Sequence, residues 1–372
     1  MADSDYSNKH VEFKVPEPTP EEAAELETMY QKMDETYLKP LWRQIGGLMP
    51  NTPEPAAVAH KWVWADLIKL ARRSGELVPV GRGGERRALG FANPGLGGNT
   101  YISPTLWAAI QYLAPGENAP EHRHSQNAFR FVIEGEGVWT VVNGDAVPMK
   151  RGDLLLTPGW NFHGHHNIAT EPMAWLDGLD IPFQHQMDTG FFEYGSEALT
   201  DESTPEFSRS EKLWAHPGLR PLAFPGQTSS SPIGRYSWAH TDAALNDQLA
   251  LEDAGFPGVA GPGHAAIRYT NPTTGGDVMS TIRCEFHRLR PSAETEPTHE
   301  VGNRVFQVFE GTGTINVGEK SFEVAKGDVV NIPSWQKWSV QADTDGLDLF
   351  CFSDFPIFEK LDLARVFIPK GI

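Results

Sequence analysis

The sequence predicts a mainly β fold, two small barrels or jelly rolls preceded by helices, and three observations carry that prediction. The first is length: 372 residues exceed one average domain and suit two domains that each bury a core. The second is texture. From Gly90 onward, short runs rich in Val, Ile, Phe and Trp alternate with turn residues in a chain of 36 glycines and 29 prolines, the pattern of many short strands. The third is an internal repeat. Residues 129–158, FRFVIEGEGVWTVVNGDAVPMKRGDLLLTP, align without gaps as far as EGxG with residues 305–333, VFQVFEGTGTINVGEKSFEVAKGDVVNIP. Each copy carries an EGxG turn, a hairpin and a Gly-Asp turn leading to a strand that ends at Pro158 or Pro333. Two strand-dense copies of about 80 residues suit two β-barrels rather than a helical solenoid.

The helices come first in the chain. Thr19-Pro20-Glu21-Glu22 is a helix start, with Thr as N-cap, Pro at the first helical position and Glu three residues after the cap. A helix from there to near Ile45 is expected. A second, Trp62 to Ser74, has Trp62, Leu67, Leu70 and Ala71 at spacings that give it one packed face. The resulting domain plan is a helical segment with an arginine-rich loop over 1–90, a first barrel over 91–195, a linker over 196–262 with some helix around Thr241 to Asp253, and a second barrel over 263–372.

Charge and composition exclude several function classes. With 31 basic and 49 acidic residues the net charge is −18, which repels nucleic-acid backbones and anionic membranes. Cys284 and Cys351 are the only cysteines, and MADSDYSNKHVEF lacks the apolar stretch of a signal peptide. A cytoplasmic protein is expected, and no apolar run approaches the roughly 20 residues of a membrane helix.

Six of the thirteen histidines fall between positions 122 and 185. His122 and His124 are two apart, so on a strand both imidazoles face one side and can converge on one ion. His163 follows Pro158 at the end of the next strand, where a barrel would bring it opposite the pair. Three imidazoles leave coordination positions open, as a catalytic site needs and a closed structural site lacks. A lone His-x-His proves little; here the repeat adds an internal control. The matching positions in the second copy are Thr298, Glu300 and Trp338, so barrel formation does not require the histidines. The first barrel is expected to bind metal and the second to be metal-free.

The strings PEHRHSQNAFRFVIEGEG and RGDLLLTPGWNFHGHHN resemble the two motifs of a cupin, and the duplication resembles a bicupin. More closely, GELVPVGRGGERRALGFANPGLGG, EHRHSQNAFRFV, TPGWNFHGH and AAIRYTNPTTGGDVM are similar to the gentisate 1,2-dioxygenase family, which includes salicylate and 1-hydroxy-2-naphthoate dioxygenases. The resemblance runs from about Tyr37 to Ser353. Many cupins add a glutamate ligand after the His-x-His pair, whereas this chain has Asn127, Ala128 and Phe129 there. That departure agrees with the all-histidine Fe(II) site the resemblance implies.

The remaining candidates concern an anionic aromatic substrate. The run from Arg82 through Arg86 and Arg87 is glycine-rich and cationic, and could close on a carboxylate or be a solvated turn. The resemblance points to Arg82 and Arg86 as pocket residues. Arg130 lies six residues after His124, the parity that would aim it inward on an unbroken strand, and an inward arginine needs an anionic partner. His165 shares the parity of His163 and could serve as a base or hydrogen-bond partner. Asp177 could orient a substrate hydroxyl or a ligand histidine. Trp107, Ala109 and Gln111 alternate along one segment; core packing is the default for such a stripe, and the resemblance implies a wall against the ring, with Ala109 setting room near it. His166 and His185 have no geometric argument.

The resemblance implies cleavage of gentisate by O2, between the carbons bearing carboxylate and hydroxyl, to maleylpyruvate. It also implies a homotetramer. The second barrel, with apolar faces to cover in EFHRLR and VFQVFEG, is expected to serve packing, on the first barrel or between subunits. Salicylate or 1-hydroxy-2-naphthoate cleavage stays open at this point. So do a non-catalytic metal-binding bicupin and a zinc isomerase, because imidazole suits several metals.

Overall fold

Turn chemistry and the repeat decide how the strands pair. The computed structural model describes residues 17–367 other than 51, 83, 85, 86 and 196–204. Residues 1–55 cluster as one unit and 56–367 as another. In the N-terminal unit, helix Pro20–Glu35 begins with the expected capping box between Thr19 and Glu22. It stops short of Ile45 because Tyr37 takes a left-handed backbone (φ 58°) and Pro40 cannot continue a helix.

The strands of the larger unit are β1 (His60–Trp62), β2 (Ala88–Gly90), β3 (Trp107–Leu113), β4 (Asn118–His124), β5 (Ala128–Glu134), β6 (Glu136–Val142), β7 (Asp145–Lys150), β8 (Leu154–Thr157) and β9 (His163–Asn167). Next come β10 (Met173–Leu179), β11 (Phe192–Tyr194), β12 (Arg235–Tyr236), β13 (His264–Arg268) and β14 (Arg283–Leu289). The last are β15 (Arg304–Val317), β16 (Lys320–Ala325), β17 (Val329–Ile332) and β18 (Trp338–Ser353). The first barrel has two sheets, ordered β12-β8-β5-β10-β3-β2 and β11-β4-β9-β6-β7. The second repeats the former order strand for strand, as β1-β17-β15-β18-β14-β13, with β16 added on β15.

The EGxG segments, expected as turns, are corners. At Gly135 (φ 90°) the chain leaves one sheet as β5 and enters the other as β6. In the second copy β15 runs on through bulges at this point, with Gly311 at φ 85°.

The matching strand orders expose an exchange between barrels. β1 precedes the first barrel in the chain yet pairs with β17 of the second, Lys61 opposite Val330. β12 lies in the expected linker yet pairs with β8 of the first, Arg235 opposite Leu155. Each exchanged strand leads into a helix, Trp64–Leu77 or Trp238–Asp253. The Trp64 N–H donates to Asp328 at 2.8 Å and the Trp238 N–H to Asp153 at 2.9 Å, so the aspartates of both Gly-Asp turns cap helices. The two tryptophan rings lie against Gly327 and Gly152, where no Cβ would fit. The boundary at 90 and the linker over 196–262 are thereby corrected: Ala88–Gly90 and Arg235–Tyr236 belong to a sheet of the first barrel, and His60–Trp62 to that of the second.

The barrels pack face to face through phenylalanines. Phe129 and Phe131 of β5 meet Phe350 and Phe352 of β18, with Phe131 and Phe350 stacked at 4.0 Å. All four are buried, each contributing roughly 1.5–3 kcal/mol, so the expected packing of the second barrel on the first is present.

Candidate metal centre and substrate cavity

β4 and β9 are neighbours, and their register sets His122 opposite His163. A bulge between Ala119 and His122 contains Pro120, which has no N–H to give the ladder. His122 and His124 share a face of β4. Ring centres are 4.3 Å apart for His122 and His163, 4.9 Å for His124 and His163, and 5.9 Å for His122 and His124. One nitrogen from each ring lies within 4.8 Å of the other two.

The tautomers follow from the backbone. The Nδ1 atoms of His122, His124 and His163 lie 3.0, 2.9 and 2.9 Å from the carbonyl oxygens of Pro120, Gln126 and Asn161. A carbonyl only accepts, so each Nδ1 carries the proton and each Nε2 offers a lone pair. The His163 Nε2 is buried without a hydrogen-bond partner. Burial, then the Arg130 charge, hold His163 well below the usual histidine range. Neutral imidazoles with their second nitrogens anchored are the donor set of a first-row divalent metal. The structure brings together the three histidines that sequence spacing picked out, although His163 opens β9 instead of ending the strand before it.

A cavity of about 690 Å³ opens beside the triad, and its wall includes Trp107, Gln111, His122, His124, Arg130, His165 and Asp177. Arg130 reaches it by a different route from the one the parity argument assumed. β4 and β5 lie in different sheets, so no unbroken strand joins His124 to Arg130; the alternation of β5 itself turns the side chain inward. Arg130 is 4% exposed. Its Nη1 donates to the Thr157 hydroxyl, and its Nε stands 3.4 Å from Asp177 Oδ1 without hydrogen-bond geometry. Trp175 Nε1 donates to the same carboxylate oxygen at 3.1 Å. Burial, opposed by Arg130, raises the Asp177 carboxyl to about 6. Asp177 thus holds Arg130 and does not touch a ligand histidine through any hydrogen bond among the described residues.

His165 is buried on the cavity side of β9, its Nδ1 2.7 Å from the Thr140 hydroxyl. Burial and then Arg130 keep it neutral, well below the usual histidine range. His166, of opposite parity, stacks on Trp139 at 5.0 Å.

Two expectations need correction, those for Arg82 and Ala109. Arg82 is exposed and absent from the cavity wall, in a turn where its N–H donates to Pro79. Arg86 lies outside the described residues. The arginine of this run that is buried is Arg87, tied to Glu117, Val78 O and Tyr112 O. Ala109 is fully buried opposite Asp177 and Gly90 and does not line the cavity, although its parity matches Trp107 and Gln111. Among the described lining residues Arg130 is the sole arginine or lysine.

The reading by residue type missed the cavity's outer wall: Ile181, His185, Phe191 and Phe192. Ile181 and His185 are four apart on helix Ile181–Gln186, and the His185 Nδ1 lies 2.8 Å from the Tyr101 hydroxyl. Pro182 at the start of a helix was the available signal.

The model of a cupin domain matches residues 109–179. A gentisate 1,2-dioxygenase from a Streptomyces species is 58% identical over 340 residues, 91% of this chain and 94% of the relative. A 1-hydroxy-2-naphthoate 1,2-dioxygenase from a Nocardioides strain is 33% identical, with 93% and 88% covered. Among solved structures, salicylate 1,2-dioxygenase from Pseudoaminobacter salicylatoxidans in adducts with gentisate superposes with a TM-score of 0.93 at 60% identity, covering 99% of this chain and all of that one.

Proposed function

The chain belongs to the gentisate 1,2-dioxygenase family of ring-cleaving cupin enzymes, and from that premise we propose that it opens gentisate with O2 to maleylpyruvate at an Fe(II) held by His122, His124 and His163. The observation that carries this is the meeting of three imidazoles, with ligand atoms within 4.8 Å of one another, beside a cavity whose wall bears His122, His124 and one buried guanidinium. Fe(II), when bound, supplies coordination positions for the substrate oxygens and O2 and passes electrons between them.

The protein's share is positioning and charge. Arg130 pairs with the substrate carboxylate, which satisfies a cation that burial otherwise penalises. Asp177, fixed by Trp175, keeps that guanidinium oriented. Neutral His165, oriented through Thr140, exchanges a proton with the substrate hydroxyl as the ring is attacked. Trp107, Gln111, Leu179, Ile181 and Phe192 flank the ring and limit water. Arg82 has no part in this scheme, and Arg86 is kept as a second partner for the substrate carboxylate on the family resemblance alone. The 5-hydroxyl of gentisate enriches the ring, a chemical reason to rank it above salicylate; the salicylate dioxygenase relative at 60% identity favours salicylate as a second substrate.

We propose a homotetramer acting in the cytoplasm. Among the described residues no helix is long and apolar enough to cross a membrane, and helix Pro20–Glu35 buries none of its side chains, leaving a surface for another subunit. Light scattering should give the mass of four chains; a monomer would overturn that assignment.

The decisive experiment loads the protein with Fe(II) anaerobically, then adds oxygen with gentisate, salicylate or 1-hydroxy-2-naphthoate. Oxygen uptake and the ultraviolet band of the ring-opened product are followed together. One O2 per gentisate, lost in His122→Ala, supports the proposal. Cleavage of another substrate alone changes the substrate and keeps the chemistry, and no turnover with iron bound overturns the reading.

A further inference from the structure

Asp180 ends β10 at the N-cap of helix Ile181–Gln186, and its carboxylate is fully buried. It accepts from the Asn127 N–H at 3.0 Å, the Asn127 side-chain amide at 3.3 Å, Gln184 Nε2 at 3.2 Å and the Thr281 hydroxyl at 2.6 Å. Asn127 in turn accepts the Gly159 N–H at 3.2 Å. Three parts of the site therefore meet at one carboxylate: the segment after His124, the turn before His163, and the helix whose Ile181 and His185 line the cavity. Thr281 differs from the other partners, because it precedes β14 and belongs to the second barrel.

The second barrel carries the mirror of this node. Asp354, N-cap of helix Phe355–Lys360, accepts from the Asn303 N–H at 2.7 Å, the Asn303 amide at 2.7 Å and the hydroxyl of Thr105, which precedes β3 of the first barrel. Asn303 accepts the Ser334 N–H at 3.2 Å, as Asn127 accepts that of Gly159. Each barrel thus lends a threonine hydroxyl to the other's capping aspartate, and only one of the two nodes adjoins a substrate cavity.

We infer that Thr281 is a positioning residue for substrate binding, through which the second barrel sets the cavity wall of the first. Its hydroxyl completes the shell of Asp180. Without that donor a buried carboxylate oxygen is left short of a partner, and the carboxylate turns to recover one. Asn127 and helix Ile181–Gln186, both bonded to it, move with it. The three metal ligands are anchored by their own carbonyls and stay in place. The loss is one of substrate affinity, not of the chemical step.

The inference rests on the proposed aromatic hydroxy acid substrate, so its readout must not need turnover. Calorimetric titration of the iron-loaded protein with gentisate and with salicylate, under anaerobic conditions, meets that need. Thr281→Val should raise Kd by about three- to tenfold, the size of one lost ordinary hydrogen bond, with KM rising alongside and kcat within about twofold. Thr281→Ser should restore the wild-type value, since it keeps the hydroxyl. Asp354→Asn disturbs the mirror node and should lower thermal stability while leaving Kd unchanged. Wild-type Kd in Thr281→Val, or the same rise in Asp354→Asn, overturns the inference. Absence of gentisate and salicylate turnover by wild-type protein overturns the proposed reaction instead, and the Kd comparison still decides the role of Thr281.

Discussion

The two barrels share a strand order and differ in what fills them. Registers make the correspondence explicit: Thr298 faces Trp338 as His122 faces His163, and Cys351 lies opposite Phe306 and Glu285 as Asp177 lies opposite Arg130 and Ala109. In the first barrel His122, Arg130 and Asp177 line a cavity of about 690 Å³; beside Arg304 in the second lies a pocket of about 10 Å³. Glu285, His287 and Cys351 present ligand atoms as close together as the histidine triad does. Arg304 nevertheless occupies that space, donating to Glu285 at 2.5 Å, to Cys351 at 3.2 Å and to Glu300 at 3.2 Å. Burial pushes the Cys351 thiol up to about 12, so it stays protonated at neutral pH. One barrel leaves a cavity beside its histidines and its buried arginine; the other fills the matching space with charged side chains of both signs.

The largest effect should come from removing a ligand on one side only. His163→Ala is expected to lose the bound metal and at least about a thousandfold in turnover, while Trp338→Ala at the matching position keeps both, as elemental analysis and oxygen uptake would record. Metal retained in the histidine variant would break the comparison. A smaller effect concerns the built-in cation. Arg304→Met leaves Glu285 and Glu300 without their buried partner and should cost about 3–5 kcal/mol in urea unfolding, with the metal content unchanged; a neutral result would mean that the second interior admits water. The smallest sharpens the contrast between the open and the filled ion pair. With its carboxyl raised to about 6 against roughly 3.9 unfolded, Asp177 binds its proton more tightly in the folded state. Stability of the wild type relative to Asp177→Asn should therefore fall as pH rises from about 4 to about 6 and level off above. A pH-independent difference would contradict the burial argument.

The sequence made the histidine triad legible because its spacing leaves a local trace: an i, i+2 pair, a third histidine, and a second copy that lacks all three. It also made the doubling legible, since the EGxG and Gly-Asp segments impose backbone demands that few residues meet. What stayed hidden depends on distant partners. Nothing local marks Lys61 as a neighbour of Val330 or Thr281 as a donor to Asp180, because such pairs are fixed only when the barrels meet. Parity failed in two instructive ways. It placed Arg130 correctly through a strand that does not exist, and it grouped Ala109 with Trp107 and Gln111, which line the cavity, although Ala109 itself does not. The arginine run was read from charge, glycines and resemblance, none of which tells that Arg87 has a half-buried carboxylate as its partner in Glu117.

The exchange of β1 also has a consequence in time. Trp64 and its acceptor Asp328 are 264 residues apart, and a ribosome adding about 5–20 residues per second separates them by an interval on the order of 10–50 s. Once β12 has been made the first barrel's sheet can close, whereas β1 still waits for β17 and the Trp64 N–H for Asp328, although the Trp64 indole already has Glu134 of β5 as its acceptor. The nascent chain thus carries an unpaired strand and the bare Phe129 and Phe131 face for most of its synthesis, a state on which holding chaperones act and in which a stalled chain would find the edge of another.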